Sequence, residues 1–286
     1  MASVLGVALP DGIEWGVCVR DAGTGDVLAA AGADSVLPAA SMGKLLLLVE
    51  VARSLDPSEP LTRTPEDAVA DSGLWQHLAV DTLPAGDLAA LVGAVSDNLA
   101  TNVLLRRVGL DAVREMARGL GLRDTALHDR VRDERTAEHP PALSTATAGE
   151  LSALFAALAA GRDAAGAAGA RGQLTPAVSE RVLGWLALGT DHSMVASAFG
   201  LDPLAHVRRD RGLRLRHKTG TDVGVRAEAG LLDGPEASLA YAVLARFDDE
   251  RRDEVLGVMR SLGGAIRAQS GSAMQAVPTR SNPSRP

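Results

Sequence analysis

Ser41-Met42-Gly43-Lys44-Leu45-Leu46-Leu47-Leu48-Val49-Glu50-Val51 is the stretch on which the reading of this chain turns. From Leu45 on it is apolar nearly all round, which predicts a helix buried in the middle of the protein rather than one lying on its surface. A serine at the start of such a helix and a lysine one turn later share a face. Lys44 then sits at the edge of an apolar interior, where desolvation and neighbouring cations lower a lysine pKa. A lysine that is neutral near pH 7 can take the proton of Ser41, and a helix N-terminus favours the negative charge that develops. On its own the tetrapeptide reads equally as an N-cap serine followed by a snorkelling lysine, so its surroundings decide.

Working outward, Glu14 to Asp21 has strand character, and the turn-rich Ala22-Gly23-Thr24-Gly25-Asp26 joins it to Val27–Ala31 as a hairpin. Near the C-terminus Leu213–Arg216 alternates, and Val225–Leu232 and Ser238–Phe247 follow, split by Asp233-Gly234-Pro235. Between these groups Asp87–Val95, Leu99–Val108, Asp111–Gly119, Ala148–Ala160 and Pro176–Leu188 carry helical spacing, the last opened by Thr175 as N-cap and Pro176 in the first turn. Val255, Met259, Leu262 and Ile266 signal a final helix. Strands at both ends around a helical middle predict a mixed α/β (α+β) fold: an antiparallel sheet flanked by helices, with an all-α domain inserted. The expected units are residues 1–40 with 190–268 for the discontinuous sheet domain, 41–189 for the mainly helical domain, and 269–286 as a disordered tail. Gly161–Gly172 is expected as an Ala/Gly-rich surface loop.

The 286 residues hold 29 Lys plus Arg against 36 Asp plus Glu, a formal charge of −7, which argues against a protein that wraps nucleic acid. The basic run His206–Lys218 lacks the interleaved aromatics of a single-strand binder. Aromatics make up only 2% of the chain, so the core must be built from Ala, Val and Leu. The single cysteine, Cys18, cannot form an internal disulfide and alternates within an apolar strand, as inert core does. No metal-ligand spacing and no phosphate loop occurs, so neither a metal nor a cofactor is expected. The N-terminus has no cationic start and only a short apolar stretch before Pro10, and no run is long enough to cross a bilayer. The expectation is a cytoplasmic monomer with no membrane or nucleic-acid partner.

Two further motifs give Ser41 and Lys44 their meaning. Ser96-Asp97-Asn98 lies between two expected helices, and His217-Lys218-Thr219-Gly220-Thr221 closes a strand before a tight turn. Ser-x-x-Lys, Ser-Asp-Asn and Lys-Thr-Gly, in this order and these contexts, resemble the class A β-lactamase-like serine hydrolases. The likeness runs from the Glu14 strand to the last helix, includes Ser96–Leu105 as the Ser-Asp-Asn helix, and includes Asp71–Leu78 as a cleft wall. It implies a helical domain inserted into a sheet domain with the site between them. By that resemblance Ser41 would be the acylated nucleophile, Lys44 its general base, and Ser96 the relay to the leaving atom. Asn98 would bind the substrate amide, and Lys218, Thr219 and Thr221 would meet a substrate carboxylate. Backbone N–H groups of Ser41 and Thr221 would form the oxyanion hole. Gly220 would keep the strand edge open to substrate, and Arg226 would be a carboxylate-binding arginine. The substrate implied is a small molecule: a β-lactam or a peptide-like amide or ester bearing a carboxylate.

The pattern breaks in the loop that would activate the deacylating water. Hydrolytic class A enzymes carry Glu-x-x-Leu-Asn there, whereas this chain has His128-Asp129-Arg130-Val131-Arg132-Asp133-Glu134-Arg135-Thr136-Ala137-Glu138. Glu134 is the nearest candidate carboxylate and Glu138 the next. Without a base, acylation could proceed while hydrolysis stalls. Besides a serine hydrolase acting through an acyl-enzyme on an amide, lactam or ester, two alternatives stay open: a metabolic acyltransferase or esterase, and a non-hydrolysing β-lactam or peptide binder. His217 is expected as strand packing.

Overall fold

Five strands pair into one antiparallel sheet in the computed structural model, which describes residues 2–163, 174–205 and 207–271. They are β1 (Glu14–Asp21), β2 (Val27–Ala31), β3 (Arg214–Asp222), β4 (Val225–Asp233) and β5 (Ser238–Arg246). Their spatial order is β3-β4-β5-β1-β2, so the two ends of the chain meet where β5 pairs with β1, with Val243 opposite Val17. Side chains alternate between faces, as a strand requires. Val17, Val19, Leu239, Tyr241 and Val243 join one core cluster, whereas Cys18, Ala240, Ala242 and Leu244 join the other.

The helices follow in chain order: α1 (Lys44–Ser54), α2 (Ala85–Val95), α3 (Asn98–Val108), α4 (Leu110–Gly119), α5 (Ala148–Asp163), α6 (Pro176–Leu186) and α7 (Arg252–Gln269). Helix α7 covers one face of the sheet together with the 3-10 turn Val195–Phe199, and α5 lies on the other face against β1, β4 and β5. Alanines 227, 229, 240 and 242 on the α5 side leave room for that helix, so a core almost without rings still closes. Helix α1 touches α2, α3, α4 and α6, and Leu45 to Val49 are all at most 1% exposed. Each such leucine contributes roughly 2 kcal/mol of transfer free energy, which makes α1 the post around which the helical part is built.

Several features differ from the sequence-based expectation. Ala2–Val4 and Val7–Leu9 form a hairpin across Leu5 and Gly6, both with positive φ, as a type I′ turn needs. A leucine in that position carries no turn signal. A short three-stranded sheet, in which Leu37–Pro38 and Ala126–Leu127 flank Ser144–Ala146, was also unforeseen, because strands of two or three residues have no readable period. Residues 164–173, most of the expected Ala/Gly loop, and 272–286, most of the expected tail, lie outside the described residues, as does His206. Among the described residues no helix is long and apolar enough to cross a membrane.

Candidate active site

Ser41 sits in a 3-10 turn, Ala40–Gly43, that runs directly into α1. It does not cap the helix; the turn itself presents it. Two clamps hold that turn. From one side the Ser144 hydroxyl donates to Ala40 O at 2.7 Å and accepts from Gly43 N at 3.2 Å, while Ala39 N donates to Ser144 O at 3.0 Å. Gly43 is required there, because a Cβ would lie 2.6 Å from that of Ser144. From the other side β3 lies so close that a Cβ on Gly220 would be 2.3 Å from Ala39 O. Gly220 is thus needed for the serine's own turn, a reason its sequence context did not carry. Ala40 has φ +47, a left-handed conformation that costs a non-glycine residue on the order of 1 kcal/mol and that the clamps sustain.

Lys44, the first residue of α1, is fully buried. Its Nζ donates to Ser96 O at 2.6 Å and to Asn98 Oδ1 at 2.6 Å, and lies 3.1 Å from Ser96 Oγ. Burial, reinforced by the nearby Lys218 charge, holds its pKa well below the ordinary lysine value, against the opposing pull of Asp97 and Asp71. Ser96 ends α2 with φ +56 and ψ 35, a left-handed C-cap that turns its carbonyl and hydroxyl together onto the lysine. The middle residue of that motif, Asp97, is the brace. Fully buried, it caps α3 through Ala100 N and accepts from Leu74 N and Trp75 N at 2.7 and 2.8 Å, tying the cleft wall to the motif.

Strand β3 supplies the opposite side. Lys218 is buried, its Nζ donates to Thr219 O at 2.7 Å, and burial pushes its pKa down to about 8 despite Asp191 nearby. Thr219 and Thr221 line the cleft together with Asp191, whose carboxylate accepts from Ser193 N at 3.1 Å and Ser193 Oγ at 2.6 Å. Burial opposes ionisation of Asp191, yet the Ser193 hydrogen bonds and the neighbouring Thr219 hydroxyl outweigh it and hold its carboxyl below the usual value. His217 is more than passive packing: Glu228, fully buried, receives His217 Nδ1 at 3.1 Å, the Tyr241 hydroxyl at 2.7 Å and Ala196 N at 3.1 Å. Arg226 is turned onto its own strand, Nη1 donating to Asp222 O and Val225 O at 2.7 Å each, and it does not line the cleft.

The loop after residue 128 closes the remaining wall. Asn102 of α3 grips Val131 at both main-chain groups, accepting from Val131 N at 2.9 Å and donating to Val131 O at 3.0 Å. Asp129 collects Arg132 and Arg135, and Asp133 accepts from Ala70 N at 2.7 Å. Glu134 and Glu138 are exposed and lie outside the cleft lining, whereas Val131 and Asp133 line it. The structure thus brings Ser41, Ser96, Asn98, Lys218, Thr219 and Thr221 together around a cavity of about 970 Å³, with Lys44 buried behind Ser96 and Asn98, and leaves Glu134 and Arg226 apart. That is an ordinary size for a small-molecule site. Asp191, Ser144 and Asn102 were missed as site residues. Only the Asp-His-Ser turn at 191–193 carries a local signal.

A sheet and a set of helices that enclose a serine, a buried lysine of lowered pKa and a second serine fit one class: serine hydrolases that work through an acyl-enzyme. The chain belongs to the beta-lactamase enzyme family, whose model matches residues 4–269. Among solved structures it is similar to a β-lactamase from Sphaerobacter thermophilus at 24% identity, covering 93% of this chain and 94% of that one with a TM-score of 0.74. It is also similar to a variant of PBP-A solved as an acyl-enzyme complex with penicillin G, at 21% identity, 92% of each chain and 0.74. An ancestral class A β-lactamase gives 23% identity, 90% and 95% coverage and 0.72. Likeness at such identities shows the fold. No curated protein sequence matches this chain significantly.

Proposed function

We propose that Ser41 is the nucleophile of an acyl-transfer reaction on an amide, lactam or ester, and that the acyl-enzyme is long-lived. Neutral Lys44 takes the Ser41 proton as Oγ attacks the carbonyl carbon, with Ser41 N–H and Thr221 N–H on the developing oxyanion. The carbon–nitrogen or carbon–oxygen bond then breaks, and the proton passes from Lys44 through Ser96 to the leaving atom. Asn98 and Thr221 orient the substrate, and Lys218 supplies positive charge beside Ser96. The observation that carries this reading is the Lys44 amine: fully buried, lowered in pKa, and 3.1 Å from Ser96 Oγ. Burial beside a second serine is the arrangement that lets a lysine serve as a proton acceptor.

The loop supports slow deacylation, because its clamped, cleft-lining residue is Val131, its cleft-lining carboxylate Asp133 is engaged by Ala70 N at 2.7 Å, and Glu134 faces solvent. A β-lactam such as penicillin G, which acylates the PBP-A variant, is a fitting probe. Intact-protein mass spectrometry should show one covalent adduct on mixing with penicillin G or an activated ester, persisting for minutes and absent in Ser41→Ala. An adduct that survives Ser41→Ala would sink the assignment. A cytoplasmic, monomeric state belongs to the same proposal; the buried free thiol of Cys18 is compatible with a reducing compartment.

A further inference from the structure

The end of the cleft that the resemblance assigns to a substrate carboxylate is built differently in this chain. Three groups were expected to receive that anion beside Lys218: Thr219, Thr221 and Arg226. Arg226 is committed to the carbonyls of Asp222 and Val225 and lies outside the lining. Asp191 lines the cleft together with Lys218, Thr219 and Thr221, and its carboxylate is fixed there by Ser193 N and Ser193 Oγ at 3.1 and 2.6 Å. Its charge acts on Lys218 as a countercharge. A substrate anion would therefore have to compete with a resident carboxylate for the Lys218 charge, with the Thr219 and Thr221 hydroxyls as its remaining partners.

We infer that Asp191 makes this subsite select acyl donors that carry a neutral or cationic group, rather than a carboxylate, at the Lys218–Thr219 end. The inference deepens the acyl-enzyme reading and rests on it. Asp191 acts here as a specificity-determining residue: its charge, held by Ser193 in the same cleft lining as Lys218, repels a like charge and accepts from donor-bearing groups. Lys218 stays near Ser96, where its charge serves the leaving-group side of the reaction.

The test compares two matched donors on the wild-type chain, penicillin G and its methyl ester, by the second-order rate of Ser41 adduct formation in intact-mass measurements. The ester should acylate at least as fast as the free acid. In Asp191→Asn the free acid should gain about tenfold while the ester changes little, and added salt should raise the wild-type rate for the acid alone. A wild-type enzyme that prefers the free acid would overturn the inference, and so would an Asp191→Asn change that moves both donors equally, the mark of a purely structural residue. If neither donor labels Ser41, the acyl-enzyme reading beneath the inference fails instead.

Discussion

At the scale of single residues, the site is defined by two cations held where cations are costly. Lys218 has a folded pKa of about 8 against an ordinary lysine value of 10.5, so folding disfavours its charged form. That penalty is complete below about 8, fades between there and 10.5, and amounts to at most about 3 kcal/mol. Lys218→Met, which removes the charge and keeps the volume, should therefore raise stability at pH 7 by about 1–3 kcal/mol while abolishing acylation of Ser41. The stability gain should shrink as pH rises from 8 toward 10.5. Urea denaturation of both proteins at pH 7 and pH 10 measures it, and a variant less stable than wild type at pH 7 refutes the argument. Ser41, Lys44, Ser96 and Lys218 were legible in sequence because each belongs to a short motif whose spacing dictates a face or a turn. Asp191, Asn102 and Ser144 were not, because each acts on a partner 27 to 104 residues away.

Among elements, what matters is the backbone that holds those residues. The 3-10 turn carrying Ser41 has β3 on one flank and Ser144 on the other, so its position follows from packing rather than from its own sequence. Gly220→Ala places a methyl group 2.3 Å from Ala39 O, a main-chain atom that cannot swing aside. The turn must shift, at about 1–3 kcal/mol in stability, and a displaced nucleophile should lose about 10²-fold in acylation rate. An acylation rate within twofold of wild type would show that the turn is looser than the contact implies. The loop at 129–135 offers a second prediction. Asn102 fixes Val131 by two main-chain hydrogen bonds, so a side chain at 131 is both immobile at its base and turned to the cleft. Val131→Glu should speed deacylation about 10²-fold by supplying a base, and lower stability by about 1–3 kcal/mol through its burial. Decay of the adduct mass over time is the readout, and an unchanged lifetime means that the lifetime is not set by a missing base. From sequence the loop shows only several charges in a row, and which one faces the cleft depends on the clamp from α3.

The molecule as a whole decides why these elements meet where they do. The sheet strands and main helices were legible because they are long and periodic, and the closure of β1 on β5 follows from having strands at both ends. The shared interior was not: α5 belongs to the helical stretch in sequence but packs on the sheet, and one core cluster runs from α1–α6 into β4 and β5. Of the five non-glycine residues with positive φ among the described residues, Ala40, Asp71 and Ser96 all line the cleft, so local strain gathers where the two parts join. That common interior links the two lysines, since it buries both and lets the Lys218 charge act on Lys44. Acylation needs Lys44 neutral and Lys218 charged. Its rate should rise with pH as Lys44 loses its proton, well below 10.5, and fall as Lys218 loses its own near 8, giving a bell whose alkaline limb belongs to Lys218. Lys218→Arg keeps a charge across the whole range, so even with a lower maximum its profile should stay flat from pH 8 to 10. Adduct-formation rates at constant ionic strength from pH 5 to 10 separate the cases: an alkaline limb that persists unchanged in Lys218→Arg would assign that ionisation elsewhere and break the proposed division of labour between the two lysines.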